Sequence, residues 1–350
     1  MKIVVLAGGL SPERDVSLSS GCLISNALLE SGHSVLLLDV YEGAPVNCGV
    51  PATSAGFSFH TRADGCHYAY AVPSTEPDLD AIRARNGNRK ELIGAGVLEA
   101  CRSADVVFVG LHGAMGENGQ LQAVLDVNGI KYTGSGYTGC LLAMDKDITK
   151  RLLIREGILT ADWIMFDCAK DDLSRIEREI GLPCVVKPTS CGSSVGVSIV
   201  DTEAGLRDAL AYAKKYEPVV LIEKKITGRE FSVGVLDGQA LPPIEIVPKS
   251  GFYDYANKYQ SGKTEEICPA RLDADDTARL QALAVAVHTT VRLGGYSRVD
   301  FILDAAGDFC CLEANTLPGM TPTSLLPQEA AVAGIPYVEL CDKIVRMALR

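Results

Sequence analysis

Apolar runs of bilayer length are missing from this sequence: no uninterrupted stretch approaches the roughly 20 residues that a membrane helix needs, although 47% of the residues are hydrophobic. That excludes a spanning helix and predicts a soluble globular protein. An excess of positive charge is missing too. With a formal net charge of -11, the surface is unsuited to a phosphodiester backbone or to anionic lipid, so neither nucleic acid nor membrane is expected as a partner. A small molecule is the expected one, and a local group of lysines can still hold a phosphate. C-x-x-C pairs are absent despite 12 cysteines, which sit scattered in apolar stretches such as Pro183-Cys184-Val185-Val186. Buried, reduced thiols in a cytosolic protein follow. The apolar opening of the chain is cut short by Gly8, Gly9 and the charged Glu13-Arg14-Asp15, which argues against a signal peptide and for a cytoplasmic location. Internal repeats and low-complexity tracts are also lacking.

At 350 residues the chain is long enough for more than one core, and two or three domains are expected. The first reads as α/β: a strand over 3–6, a Gly8-Gly9 turn, a helix over 17–29 and a strand over 34–40 make one right-handed βαβ unit. After an irregular stretch, in which 57–61 and 66–72 flank an Asp64-Gly65 turn and predict a hairpin, strands are expected at 106–109 and 130–133 around a helix over 119–127. A doubly wound domain over 1–135 results. A long helix over 140–156 leads into a strand-rich α+β region with strands near 163–166, 184–188, 197–200 and 219–226, the second domain spanning 136–224. The third, 225–350, has strands at 231–236 and 244–247, a polar loop over 249–263, a helix over 273–293, a strand pair at 298–303 and 309–313 joined by a turn over 304–308, and two closing helices.

The strand pair carries the strongest chemical signal. Glu313 and Asn315 are two apart and share a strand face, and Asp300 can join them from across the ladder. Two carboxylates and an amide offer hard oxygens suited to Mg²⁺ while leaving positions for water and phosphate. Acidic residues at hairpin ends are commonly just solvated, but these stand among apolar neighbours, where an unpaired carboxylate is costly. Arg298, on the same face, could clamp an anionic oxygen. A second signal is Lys187 on a strand followed by Gly192-Ser193-Ser194-Val195-Gly196, whose backbone N–H groups could wrap phosphate. The lysine precedes the glycines, so this is no G-x-x-x-x-G-K-[ST] loop. Lys146, Lys224 and Glu223 add to it, with Glu223 able to accept from an adenine amino group. At the N-terminus, Gly8-Gly9 lacks the G-x-G-x-x-G spacing of dinucleotide folds. Glu13 there suits a substrate ammonium, against the simpler reading of helix-dipole compensation, and His112 would open onto the same crevice.

Taken in order, the segments G-G-x-S-x-E-R-x-V-S-L, Leu111-His112-Gly113, Met144-Asp145-Lys146, Val186-Lys187-Pro188, Gly192 to Gly196, Leu221-Ile222-Glu223-Lys224, Phe252-Tyr253-Asp254-Tyr255 with Lys258-Tyr259, Arg298-Val299-Asp300 and Glu313-Ala314-Asn315-Thr316-Leu317-Pro318-Gly319-Met320-Thr321 resemble the ATP-grasp ligases, and among them the D-alanine-D-alanine ligases. The resemblance implies an α/β ATP-grasp fold, a doubly wound N-terminal domain followed by two α+β domains that sandwich the nucleotide. It implies that ATP activates the carboxylate of one D-alanine as an acyl phosphate, which the amine of a second attacks. By the same resemblance, Lys146, Lys187, Ser194, Glu223, Lys224, Ile226, Glu230, Phe252 and Lys258 serve ATP, while Asp300, Glu313 and Asn315 hold two Mg²⁺ (or Mn²⁺). Glu13 and His112 receive the first D-alanine. Arg298 and the Gly319 backbone stabilise the oxyanion, and Ser324, Leu325 and Lys258 meet the second substrate's carboxylate. Tyr259 would join Ser193 and Glu13 in a polar network under a lid over 249–263. A homodimer is what the family suggests. The alternatives are a D-alanine-D-serine or D-alanine-D-lactate ligase and, from another class, a catalytically silent nucleotide-binding regulator.

Overall fold

The computed structural model describes residues 1–50, 57–73, 75–190, 192, 195–249 and 264–350. Its first sheet comprises β1 (Lys2–Ala7), β2 (Ser34–Asp39), β3 (Ala44–Pro45) and β4 (Val106–Val109), in the order β3-β2-β1-β4, with β2, β1 and β4 parallel. Both faces of β1 are buried, which explains its continuous apolar sequence. The helices of this region are α1 (Arg14–Glu30), α2 (Leu79–Arg85), α3 (Val97–Arg102), α4 (Ala114–Glu117) and α5 (Gln120–Val127). Gly8, in the left-handed region at φ 74, makes the turn out of β1; a side chain there would run into Asp39, so only glycine fits.

Two expectations fail in this region. The hairpin over 57–72 does not form. Thr61 and Asp64 close a one-turn 3₁₀ helix ended by Gly65, and the two arms then pair elsewhere. His60 exchanges backbone bonds with Val35, while Tyr68 bonds Asn26 and stacks its hydroxyl against Leu37 N. The outer edge of β2, exposed beyond its two-residue pairing with β3, outcompetes the partner arm because covering that edge satisfies buried ladder groups. The strand over 130–133 shrinks to a single parallel bridge between Val107 and Tyr132, since the Thr133 hydroxyl intercepts Val109 N–H at 3.1 Å.

The helix over 140–156 is likewise two helices, α6 (Tyr137–Met144) and α7 (Lys146–Arg155). Asp145 breaks it by taking extended backbone and capping Ile148 N at 3.0 Å, as short polar side chains favour. The second sheet, β5 (Trp163–Asp167), β6 (Cys184–Pro188), β7 (Ser198–Val200) and β8 (Val219–Lys224), is antiparallel in the order β5-β8-β6-β7. With α8 (Ser174–Glu179) and α9 (Glu203–Ala213) it encloses a core of its own around Phe166, Val186 and Val220. The third sheet contains β9 (Gly228–Leu236), β10 (Gln239–Ala240), β11 (Ile244–Pro248), β12 (Thr264–Ile267), β13 (Tyr296–Asp304) and β14 (Phe309–Asn315), ordered β12-β11-β9-β13-β14 with β10 on β9. α10 (Ala274–Thr290) covers it, and α11 (Leu325–Val332) and α12 (Tyr337–Met347) close the chain.

The cores show which elements pack together. Leu317, Met320, Leu326, Leu340 and Ile344 of the C-terminal segment bury in one cluster with β1, β2 and β4, so the first and third sheets share a core. Ala143 and Leu153 of α6 and α7 pack beneath the third sheet. Among the described residues, the second sheet stands on a cluster that neither other sheet enters. Every cysteine among the described residues is a free thiol, and among those residues no helix is long and apolar enough to cross a membrane.

Candidate active site

Between the second and third sheets lies a cleft of about 510 Å³. Lys187 reaches it from β6 and Glu223 and Lys224 from the end of β8; Ile226 follows in the loop, Glu230 comes from β9 and Lys146 from the first turn of α7. All six were expected at a nucleotide. Glu223 is buried and held by two ammonium groups, Lys187 at 2.5 Å and Lys150 at 2.8 Å. Burial alone would raise its pKa, but the two lysines bring it below the usual glutamate value. A carboxylate has about four acceptor positions, so the pair leaves room for a further donor. Burial likewise lowers the Lys150 pKa, against the opposing pull of Glu223. Lys150, 2% exposed and also bonded to Thr160 and Ala161 O, escaped the sequence reading. Its signal was there, four residues after Lys146 on one helix face.

The far wall of the cleft is the β13–β14 ladder. Asp300 stands opposite Glu313, and Arg298 opposite Asn315, with a bulge after Asp300 that skips Leu312 and turns it into the cleft. Bulges of this kind re-aim side chains beside active sites. Asp300 receives Ser232 Oγ (2.7 Å) and Arg298 Nε (2.9 Å) on one oxygen, and Arg298 Nη2 (2.8 Å) and Asn315 Nδ2 (2.9 Å) on the other. Glu313 lies 3.8 Å from Lys146 Nζ. Two carboxylates and an amide are the donor types a hard divalent cation takes. Because four donors already fill Asp300, a cation must displace one. Turning the Asn315 amide would exchange its N–H for its oxygen and make that space.

Two residue pairs along the same ladder, Arg298 and Asn315 face a second pocket of about 330 Å³. Its other walls are Glu13 from the turn after β1, His112 from the turn after β4, and Gly319, Ser324 and Leu325 at the start of α11. β1 and β4 are neighbours whose carboxyl ends open into one crevice, the usual ligand position of a doubly wound sheet. Glu13 precedes α1 without capping it, so dipole compensation is not its only setting. Burial holds the His112 pKa below the usual histidine value, Glu13 opposing and Arg298 assisting. Gly319 leaves no space for a side chain beside Ser324 Oγ, and that hydroxyl accepts from Thr321 N at 3.1 Å.

Glu117, in the same pocket, was also overlooked. Burial raises its pKa well above the ordinary value, with Glu13 and Glu313 adding to the rise, while it accepts from Gly113 N at 3.2 Å. Its clue was a carboxylate five residues after His112 in a crevice loop. Ser193, Ser194, Phe252, Lys258, Tyr259 and the lid expected over 249–263, beyond Lys249, lie outside the described residues. Away from the site, His33 and His288 bond Asp342 and Ser297 at 2.7 and 2.8 Å.

Known proteins resemble this chain over its whole length. Residues 2–135 match the family model of the D-ala D-ala ligase N-terminus, and residues 152–346 that of the D-ala D-ala ligase C-terminus. A D-alanine–D-alanine ligase of Pediococcus pentosaceus is 43% identical over 99% of this chain and 97% of its own. The crystal structure of the Bacillus anthracis D-alanine–D-alanine ligase complexed with ATP superposes with a TM-score of 0.76 at 29% identity, over 100% of this chain and 98% of that one. The VanG D-Ala:D-Ser ligase of Enterococcus faecalis gives 0.74 at 25% identity, over 99% of both chains. With an ATP-grasp α/β fold, both halves of the chain matched and a full-length relative at that identity, the chain belongs to the D-alanine–D-alanine ligase family.

Proposed function

We propose that this protein uses ATP to join two D-alanines into D-alanyl-D-alanine through a D-alanyl phosphate, for peptidoglycan precursor synthesis. One observation carries the reading. A single ladder sets Asp300 and Glu313 in the cleft and Arg298 and Asn315 in the adjoining pocket, so a group at the cleft's end and a carboxylate in the pocket meet two ladder positions apart on one face. Proximity of that kind accounts for much of the rate in ligations.

Lys146 and Lys187 supply positive charge for nucleotide phosphates, together with Ser194 and Lys258; Glu223, Lys224, Ile226, Glu230 and Phe252 hold the rest of the nucleotide. Asp300, Glu313 and Asn315 would hold Mg²⁺ or Mn²⁺, which when bound offsets charge on the phosphates. Glu13, with Glu117 beside it, attracts the ammonium of the first D-alanine, and neutral His112 accepts or donates without adding charge. Arg298, using two of its N–H donors on Asp300, and the backbone N–H of Gly319 stabilise the oxyanion. Ser324 and Leu325 open α11, and a helix N-terminus suits the acceptor's carboxylate. Ser193 and Tyr259 complete the catalytic set. The proposed domains are 1–135, 136–224 and 225–350, in a cytoplasmic homodimer.

A D-alanine–D-serine ligase is the second reading, favoured by the similarity to VanG and by Thr321, Thr323 and Glu266 along the pocket. Phosphate release from ATP with a panel of D- and L-amino acids tests both. Release dependent on D-alanine alone supports the first, a clear rise on adding D-serine supports the second, and release with neither refutes ligase activity.

A further inference from the structure

Behind the acceptor side of the pocket is a carboxyl group without a part in the reaction described above. Glu329 of α11 is 0% exposed. Its Oε2 accepts Gly234 N–H at 2.6 Å, while Oε1 has no hydrogen-bond partner among the described residues. Gly234 is a β9 residue and stands directly across from Arg298 in the β9–β13 register. Its N–H is available because the sheet opens there. The β9–β11 ladder ends at Ser232 and Ile244, and the β9–β10 ladder at Val235 and Ala240. At the next position Leu241 N donates to Gly234 O at 2.8 Å, but the reciprocal acceptor, Leu241 O, is taken by Gln281 Nε2 at 2.9 Å. Glu329 therefore completes the ladder at the strand position that backs Arg298. Gly234 has to be glycine for this, since a Cβ would overlap Glu329 Oε2.

The other end of the connection is the acceptor turn. Glu329 lies four residues after Leu325, on the same face of the helix, so a bond at Glu329 acts beneath the residues that open α11. Burial pushes its carboxyl well above the usual range, against the pull of the Gly234 N–H and Arg298.

We infer that Glu329 is a positioning residue for the acceptor: its bond to Gly234 ties Ser324 and Leu325 to the strand that backs Arg298, so that the acceptor's carboxylate site and the oxyanion-stabilising guanidinium keep one spacing. This rests on the acceptor and oxyanion roles proposed above. Misplacing reacting groups by an ångström is costly, whereas the nucleotide cleft begins two ladder positions further on, at Asp300 and Glu313, and takes its lysines from other elements.

Initial rates with each substrate varied in turn decide the matter for Glu329→Ala, Glu329→Gln and Ser324→Ala, with thermal melts to confirm folding. In Glu329→Ala the acceptor KM rises about tenfold, the scale of one buried hydrogen bond lost with its partner left unpaired, while the KM for ATP stays near wild type. Glu329→Gln keeps the shape and a carbonyl acceptor for Gly234 N–H, and restores the acceptor KM. A lower melting temperature in Glu329→Ala with an unchanged acceptor KM overturns the inference, as does an equal rise in the KM of every substrate. If Glu329→Ala does not fold, Glu329→Asp, one methylene too short to reach Gly234, is read by the same ratio. An acceptor KM unmoved in Ser324→Ala, by contrast, removes the acceptor assignment itself.

Discussion

The cleft proposed for the nucleotide and the pocket proposed for the amino acids share the β13–β14 wall but are otherwise built on opposite plans. In the cleft, buried charges are matched, with Glu223 between Lys150 and Lys187 and Asp300 against Arg298. In the pocket, Glu117 is half-buried near Glu13 and close enough to Glu313 for both to raise its pKa. A matched lysine–glutamate cluster can release positive charge to an anion, and a gathering of acids favours an ammonium. The walls differ as well. Cleft walls belong to sheets with separate cores, whereas the pocket's first-sheet side and its Leu317–Met320 side share one. Packed interiors transmit strain instead of yielding, so the cleft can change width at little cost while the pocket keeps its shape.

The largest expected effect lies at the shared wall. Glu313→Gln should lower ligase turnover about a thousandfold, the scale of losing a key electrostatic group, with an unchanged melting temperature. Near-normal turnover at saturating Mg²⁺ would remove Glu313 from the metal site. Within the cleft, Lys150→Met leaves Glu223 with a single partner and should cost about 3 kcal/mol of stability, as breaking a buried pair does. It should also raise the KM for ATP, and urea melts with and without nucleotide measure both. A variant as stable as the parent would mean that the charge matching is not what holds the cleft.

The difference in cores is tested by a pair of fully buried residues. Leu326→Ala and Ile222→Ala should each cost roughly 2–3 kcal/mol, but with different reach. Hydrogen exchange in Leu326→Ala should speed up in β1 and β4 as well as in α11; in Ile222→Ala the change should stay within the second sheet. Identical patterns would dissolve the distinction.

The smallest effect is a pH dependence in the pocket. The folded enzyme retains a proton on Glu117 that the unfolded chain releases above the ordinary value of 4.5. Its contribution to stability is therefore complete below that value and lost as pH rises through the raised pKa. Glu117→Gln has no such proton, so in metal-free buffer its melting temperature relative to wild type should climb as the pH rises above the ordinary carboxyl value. A flat or falling difference would show that the carboxyl is not strained by burial.

Most of the site was legible because its residues lie where local pattern is strong. Strand alternation in β13 and β14 announced that Arg298, Asp300, Glu313 and Asn315 share a face, and the register pairs them so. Lys187 on its strand and Glu13 and His112 after theirs were equally readable. The structure added residues with weak local signals. Lys150 reads as an ordinary helix lysine until Glu223 is brought to it, and Glu117 as a loop acid until burial sets it beside Glu13. The failed hairpin over 57–72 has the same cause in reverse, a correct local turn whose arms were claimed by the distant edge of β2.

By itself, the sequence determined the elements, their alternation and the chemical types at each strand end, because hydrophobic period and turn chemistry act over a few residues. Its ordered motifs determined the family. The tertiary structure alone decided that α11 and α12 return to share a core with the first sheet, that Glu223 sits between two lysines and that Glu329 finishes an open ladder behind Arg298. Each of these joins residues far apart in the chain through burial and unmet hydrogen bonds, and no short-range pattern records which distant group will supply the missing partner.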